Sequence, residues 1–323
     1  MIEARSSSRP LIVRLRNFVG DTVLSLPALR LLQSHGYQLE LVGKGWARAL
    51  LEAEGWHIHV RPGPLGQRVR QLRELRRQCR AQDAGFDARL NTLLLPWSFS
   101  AALDARLAGL RAMGYGYEGN GLLLSRTLRR EPGRHALQDY WTLACEFLGV
   151  QLPPPAAIGL QVSEAQRVAA RELLDSLGLS EGRYVLICPF ASGKVEFIDR
   201  SWPAFPDFVR QLKAAGVPVL IVPGPTEVDG ARALYPEALA LPGVALGVYN
   251  ALLQLAGVVV SNDTGPAHMA AAVGGRVISV LGPTQPEHWA PWGPGVQVMR
   301  CWPEWPTAGE VLTRVERTLA SAG

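Results

Sequence analysis

The stretch VVVSNDTGPAH, Val258–His268, reads as a buried strand ending in small polar residues, then a glycine, then a helix with Pro266 at its first position. Proline does no harm there, because the first helical N–H groups have no partner inside the helix. In open α/β sheets ligands gather at the carboxyl ends of the strands. The helix start offers N–H groups and a partial positive charge that suit a pyrophosphate. Thr264 adds a hydroxyl, Gly265 lets a ligand approach the backbone closely, and His268, one turn on, can reach a phosphate oxygen. The plainer readings stand beside these. Asp263 or Thr264 can simply cap the helix, and His268 can be a satisfied helix histidine. A carboxylate beside a bound anion is electrostatically wrong, so Asp263 is expected to accept bonds from backbone N–H groups or to order the loop.

The same alternation extends in both directions. Strands are expected at Tyr184–Cys188, Val217–Val222 and Arg276–Leu281. Helices are expected near Phe205–Ala215, Glu227–Leu234, Asn250–Ala256 and Pro266–Val273, a pattern of βα units on a parallel sheet. Upstream, Ser163–Leu177 reads as a helix with Ser163 as its N-cap, and Glu164 falls too early for a capping box. Before it, Leu152-Pro153-Pro154-Pro155 blocks helix continuation and marks a boundary, giving domains at 1–152 and 153–323. The final helix, Ala308–Ala320, is expected to cross back onto the first domain.

The first half opens with another βαβ unit. Leu11–Leu15 is a short buried strand, Arg16–Gly20 a loop, and a helix starts near Asp21 with Pro27 in its first two turns. Leu39–Val42 is the next strand, and Glu40 reads as a surface position, as does Asp104. Phe86–Leu90 and Asn91–Leu95 are read as a strand and its following loop, Gly114–Tyr117 as a strand, and Gln67–Arg80 and His135–Leu148 as helices. Asp21, behind Gly20, stands at the strand-to-helix turn that corresponds to the Asp263 loop. It can cap its helix. It can equally act as a general base for a hydroxyl that attacks a sugar carbon.

The chain has 323 residues, 48% of them hydrophobic and 19% charged, enough apolar material for two cores. A net charge of +5 suits an anionic partner without choosing among them. Cys79, Cys145, Cys188 and Cys301 lie far apart with no CxxC pair, so neither a disulfide framework nor a zinc site is expected, and a reducing compartment fits better. MIEARSSSRP lacks the apolar core of a signal peptide, and no run is long enough to span a bilayer. No carboxylate pair of DxD type lies near a strand end, and no His/Cys cluster has ligand spacing, so no metal is expected. No GxGxxG follows the first strand, which argues against a dehydrogenase. The basic residues do not interleave with aromatics, which argues against nucleic acid. Arg73, Arg76 and Arg77, with Arg68, Arg70 and Arg80, make a basic helix face. It is either solvated or a contact for anionic lipid headgroups or a phosphorylated acceptor. Trp289, Trp292, Trp302 and Trp305 are read as packing between the domains, with sugar stacking as the alternative.

Five segments in this order resemble the ADP-heptose:lipopolysaccharide heptosyltransferases, glycosyltransferase family nine. They are LIVRLRNFVGDTVLSLPALRLL (Leu11–Leu32), RHALQDYWTLACEFLGV (Arg134–Val150), and ICPFAS (Ile187–Ser192) leading to RSWPAFPDFVRQL (Arg200–Leu212). The last two are VPGPTE (Val222–Glu227) and VVVSNDTGPAHMAAAVGGRVISVLGPTQPEHWAPWG (Val258–Gly293). The resemblance covers nearly the whole chain. It implies a GT-B fold, two Rossmann-like domains facing across a cleft, with the acceptor on the first and the donor on the second. It implies an inverting transfer with no metal and no cofactor, from ADP-heptose or a related nucleotide-sugar to an anionic glycolipid of the lipopolysaccharide core. It further implies a cytoplasmic location, with peripheral contact at the inner membrane. Asp21 falls at the family's proposed base, and Asp263, Thr264, Gly265 and His268 fall on its donor motif. Glu227 falls at the nucleoside ribose and Ser192 near the donor phosphates.

The family usually places a lysine before the Trp-Pro pair, and here Arg200 precedes Ser201-Trp202-Pro203. Arginine keeps the charge but forks it. The loop Gly193–Asp199 reads as long, and Lys194 within it can supply the missing amine. Other readings remain: the same fold with another nucleotide-sugar or a protein acceptor, or a non-catalytic nucleotide-sugar binding module.

Overall fold

The computed structural model describes residues 9–191, 194–195 and 198–321. It divides into two units, Met1–Pro155 and Ala156–Gly323, separated at the end of the proline run. The first unit runs β1 (Arg9–Arg14), α1 (Val19–Leu24), α2 (Leu26–Ser34), β2 (Tyr37–Gly43), α3 (Trp46–Leu50), β3 (His57–Val60) and α4 (Leu65–Gln82). It continues with β4 (Thr92–Leu94), α5 (Phe99–Leu107), β5 (Ala112–Tyr115), β6 (Arg126–Leu128) and α6 (Ala136–Leu148). The strands form one parallel six-stranded sheet in the order β3-β2-β1-β4-β5-β6. That is the 3-2-1-4-5-6 order of doubly wound dinucleotide-binding sheets, whose switch point lies between the first and fourth strands.

The differences from the sequence reading have local causes. The helix expected near Asp21 starts earlier and is broken in two. Pro27 has no N–H to offer the Val23 carbonyl, and the chain breaks at Ser25, whose hydroxyl donates to the Thr22 carbonyl at 2.7 Å. Phe86–Ala88 is a 3₁₀ turn, and the strand lies in the segment read as its loop, at Thr92–Leu94. Asn91 sets that boundary: its side chain donates to the Phe86 carbonyl and accepts the Arg111 N–H. Glu40 and Asp104 are buried, 6% and 5% exposed. Helices cover both faces of a parallel sheet, so the polar position of an alternating strand such as β2 is buried too. Asp104 is held by a two-pronged bond from Arg68 at 2.7 and 3.0 Å.

The second unit starts with α7 (Glu164–Ser176), whose N-cap Ser163 does form a capping box, with Gln166 rather than Glu164. Then follow β7 (Val185–Cys188), β8 (Lys194–Val195), β9 (Ile198–Asp199), α8 (Phe205–Ala214), β10 (Val219–Ile221), α9 (Val228–Leu234) and β11 (Leu239–Ala240). The chain ends with α10 (Leu246–Leu255), β12 (Val258–Ser261), α11 (Gly265–Ala272), β13 (Val277–Val280), α12 (Pro286–Trp289), β14 (Val296–Met299) and α13 (Ala308–Ala320). The sheet is again parallel and six-stranded, β11-β10-β7-β12-β13-β14. With the small antiparallel hairpin β8–β9 set aside, its order repeats that of the first unit.

Within the second unit, Ala308, Val311 and Val315 of α13 join the core formed by Phe205, Phe208 and Leu212 of α8 with β7, β10 and β12. Trp202, Phe205 and Phe208 pack edge-on or tilted with centroids 5.3–5.9 Å apart. Trp302 and Trp305 pack on each other at 6.3 Å in the second unit. Trp305 lies so close to Gly282 that a Cβ there would stand 2.3 Å from its ring, so only glycine fits after β13.

Candidate functional site

In the first unit the turn after β1 is fixed by its own arginine. Arg14 is buried and folds back, donating to the Val42 carbonyl at 3.2 Å and to Asn17 Oδ1 at 2.8 Å. Burial, reinforced by the Arg61 charge, pulls its guanidinium down to about 10. The turn leads into α1, whose N-cap is Phe18 and whose first turn carries Asp21. No side chain caps this helix, so Asp21 is not used as a cap. Asp21 Oδ1 instead accepts the Tyr140 hydroxyl at 2.6 Å and Arg16 Nε at 3.3 Å. Oδ2 receives no protein donor among the described residues.

Tyr140 comes from α6, which is held at its start by a capping box of His135 and Gln138. Burial first, and then the Asp21 charge, push the Tyr140 phenol well above its ordinary value, so it stays protonated and donates. Arg16 lies over the Trp97 ring with its guanidinium carbon 4.7 Å from the centroid. Arg130 lies over the same ring at 4.2 Å and is paired with Asp139 at 2.6 Å. The carboxylate therefore has one oxygen held by two donors, one of them braced on an aromatic face.

In the second unit the corresponding turn uses its acid differently. Asp263 is buried, and its Oδ2 accepts Arg200 Nη1 at 2.8 Å and Thr284 Oγ1 at 2.7 Å. Its partners are thus side chains of neighbouring loops, which fits the second of the two expectations, that it orders the loop, and not the first, that it accepts backbone N–H groups. Thr264 is the N-cap of α11 by backbone geometry, but its hydroxyl makes no cap bond. Gly265 opens the helix, Pro266 follows within its first two positions, and His268 is buried on α11. Asn262 joins the neighbouring loops, donating to the Pro189 carbonyl and accepting the Trp202 N–H. Trp202 in turn donates its indole N–H to the Pro306 carbonyl at 2.8 Å. Arg200 is thereby carried to Asp263 on a braced segment.

Glu227 follows β10 and is the N-cap residue of α9, with its Oε2 accepting the Gly224 N–H at 2.8 Å, so it shapes its own loop. β10, β7 and β12 are adjacent, which brings the Glu227 turn and the Asp263 turn to one end of the sheet. Ser192 lies outside the described residues. Lys194 falls in β8, so the stretch read as a long loop contains a hairpin, with Lys194 opposite Asp199 and Val195 opposite Ile198.

Arg73, Arg76 and Arg77 do not act alike. α4 buries Val69, Leu72, Leu75 and Cys79 as a helical stripe and turns most of its arginines outward. Arg76 is tied to Asp87 by two bonds of 2.9 Å and serves the fold. Arg77 is highly exposed and pairs with Glu74, and Arg73 donates to the Leu107 carbonyl. Together with Arg80 and Arg106 they line an open groove of about 670 Å³.

Sequence reasoning missed Tyr140, Arg16, Thr284 and Asn262. Each lies within a quoted motif, but its partner is set by tertiary folding. It also missed a cluster with metal-ligand chemistry. Glu40, His57 and His59 place one ligand atom each within 4.8 Å of one another, which corrects the reading that no such cluster exists. Burial alone would raise the Glu40 carboxyl, but the His59 hydrogen bond and the charges of His59 and His57 hold it below its ordinary value.

A family profile for glycosyltransferase family 9 (heptosyltransferase) matches residues 72–317. The chain belongs to that family. A search of the curated proteins found no match. Among solved structures, E. coli ADP-heptose lipopolysaccharide heptosyltransferase II is similar with a TM-score of 0.79 at 22% identity, over 97% of this chain and 99% of that one. A family 9 glycosyltransferase from Veillonella parvula gives 0.81 at 17% identity, over 97% of each chain. E. coli heptosyltransferase WaaC, solved with ADP, gives 0.71 at 21% identity, over 96% of this chain and 99% of that one. The fold is that of the GT-B glycosyltransferases, and this family 9 member is a glycosyltransferase.

Proposed function

We propose that this family 9 enzyme transfers a heptose from ADP-heptose, or a closely related nucleotide-sugar, to an anionic glycolipid of the lipopolysaccharide core. The transfer inverts the anomeric carbon and uses no metal ion. The acceptor hydroxyl gives its proton to Asp21 Oδ2 as its oxygen bonds to the anomeric carbon. The bond from that carbon to the diphosphate breaks, and ADP leaves. The observation that carries this reading is the state of Asp21: a buried carboxylate at a strand end, with Oδ1 occupied by Tyr140 and Arg16 and Oδ2 open. A positioned base of this kind contributes roughly 10²–10⁴-fold to rate.

On the donor side, the amino end of α11 and the Thr264 hydroxyl take the diphosphate, with His268, Arg200 and Lys194 adding positive charge. A guanidinium carries five N–H donors and can serve Asp263 and a phosphate together. Glu227 takes the ribose hydroxyls, and Ser192 adds a donor near the phosphates. Asp263 and Glu227, the acids at these strand ends, already accept hydrogen bonds from protein groups, which favours charge neutralisation by cations over a chelated metal. WaaC solved with ADP and with ADP-2-deoxy-2-fluoro heptose is a relative of the same fold, and the donor named here has that chemistry.

Arg73 and Arg77, with the rest of the arginine groove, meet the anionic part of the acceptor or the headgroups around it. No helix among the described residues is long and apolar enough to cross a membrane. Contact at the cytoplasmic face of the inner membrane is therefore proposed as peripheral. The test is a thermal-shift screen of ADP-, UDP- and GDP-sugars, followed by transfer to heptose-deficient core glycolipid with EDTA present. ADP and ADP-heptose are expected to raise Tm, and transfer is expected to survive EDTA. No shift at millimolar ADP-heptose overturns the donor. Loss of transfer in EDTA, restored by magnesium or manganese, overturns the metal-free step.

A further inference from the structure

The edge of the first sheet carries side chains that the transfer reaction does not use. Glu40 on β2 lies directly opposite His57 on β3, and Val42 lies opposite His59. His57 and His59 are two apart on one strand, so they leave the same face of it. Glu40 shares that face with Val42, which packs beneath α4 with Ile12, Leu72 and Leu75. Glu40 pairs across the sheet with Ile12 in the middle of β1, whereas Asp21 stands in the helix beyond the end of that strand. The cluster is thus set apart from the proposed base.

Its geometry is close to that of a first-row metal site. Glu40 Oε2 is 2.7 Å from His59 Nε2 and 3.3 Å from His57 Nδ1. The two rings are tilted, with centroids 4.3 Å apart. Around a tetrahedral zinc, bonds of roughly 2.0–2.2 Å put neighbouring donors about 3.3 Å apart; the Glu40–His57 pair already has that spacing, the Glu40–His59 contact must open to reach it, and all three ligand atoms lie within 4.8 Å of one another. The Glu40 side chain is 8% exposed and that of His59 is 17%, while that of His57 is 70% exposed. Two ligands are therefore fixed by the fold, and the third can swing over an entering ion. No lysine or arginine pairs with Glu40 among the described residues, and its other oxygen accepts only a long 3.4 Å bond from Gln38.

Two imidazoles with one carboxylate suit zinc, nickel or copper and not magnesium or calcium, which take oxygen ligands. We propose that Glu40, His57 and His59 bind a divalent transition-metal ion, Zn²⁺ first among them, and that the ion pins the edge strand β3 to β2. A lone edge strand carries unpaired backbone groups that invite association, and a metal tie across its first residues holds it in register. The site is independent of the transfer reading and needs no role for the ion in it.

The simpler arrangement, a histidine bonded to a glutamate, also exists without metal, and the experiment separates the two. Full-length protein is stripped with a chelator, dialysed and titrated with ZnCl₂ in a calorimeter, with NiCl₂ and MgCl₂ in parallel thermal scans. Binding of one Zn²⁺ per chain is expected, with Tm rising for zinc and nickel and unchanged for magnesium. His57→Ala, at an exposed position, and His59→Gln should each weaken zinc binding at least tenfold, while Cys301→Ser, which removes the exposed thiol, should leave it unchanged. Zinc binding equally strong in His57→Ala and His59→Gln, or no binding at all by the stripped parent, overturns the proposal.

Discussion

Asp21 and Asp263 are equally buried, 8% exposed, and each stands where a strand gives way to a helix, yet they keep different company. Asp263 is neutralised by Arg200 at 2.8 Å and closed off further by Thr284 at 2.7 Å, so it holds three loops of the second unit together. Asp21 has a neutral phenol at 2.6 Å and a guanidinium only at 3.3 Å, both on one oxygen. A carboxylate satisfied by a close cation is a brace, and removing one partner leaves the other uncompensated. Both acids take their two donors on one oxygen, so the contrast lies in the partners: Asp263 has a cation at 2.8 Å, while the close partner of Asp21 is a neutral hydroxyl, which leaves its free oxygen available to a substrate proton. The same residue type at the same topological place does two jobs because its neighbours differ.

The largest effect expected from that contrast is at Asp21. Asp21→Asn keeps the shape and should lower turnover by about 10²–10⁴-fold while ADP affinity, measured by calorimetry, stays within about twofold. Normal turnover in a folded Asp21→Asn protein would make this acid structural, like Asp263. Arg200 comes next. Arg200→Ala should cost roughly 2–4 kcal/mol of transition-state stabilisation, the scale of deleting one preorganised donor, and should also weaken ADP binding and lower Tm because Asp263 loses its partner. Arg200→Lys should recover part of each. If kinetics and melting both match the parent, Lys194 or another group neutralises the diphosphate.

Tyr140→Phe should have a smaller effect, about tenfold on kcat at neutral pH, with KM for the donor unchanged. Its hydrogen bond fixes Oδ1 and thereby aims Oδ2, so losing it should lower kcat and leave ADP affinity, measured by calorimetry, unchanged. A kcat equal to the parent's would reduce Tyr140 to packing.

What could be read in the sequence follows from the range of the forces involved. The four inner strands of the second sheet, β10, β7, β12 and β13, were legible, because runs such as Val258–Val260 are apolar throughout and end in small polar residues, whereas its outer strands β11 and β14 were not. The turn bearing Asp21 was legible as a strand end. Its fine structure was not: the helix break at Ser25 depends on where Pro27 leaves a carbonyl unserved. β3, β6 and β14 are short outer strands with mixed polarity, carried by their neighbours rather than by their own pattern. Glu40 alternates with Leu39 and Leu41 and so reads as outward, but both faces of this sheet are covered. The partners that define the site were the least legible. Tyr140 reaches Asp21 across 119 residues and Arg200 reaches Asp263 across 63, separations at which no local periodicity carries information.

The most direct test of a single displacement driven by Asp21 is the stereochemistry of the product. ADP-heptose and core glycolipid are incubated with the enzyme, ADP release is counted against heptose transferred, and the new linkage is assigned by NMR. One ADP per heptose and an anomeric configuration opposite to that of the donor are expected. Retention of configuration, or ADP release without a new glycosidic bond, would contradict the account.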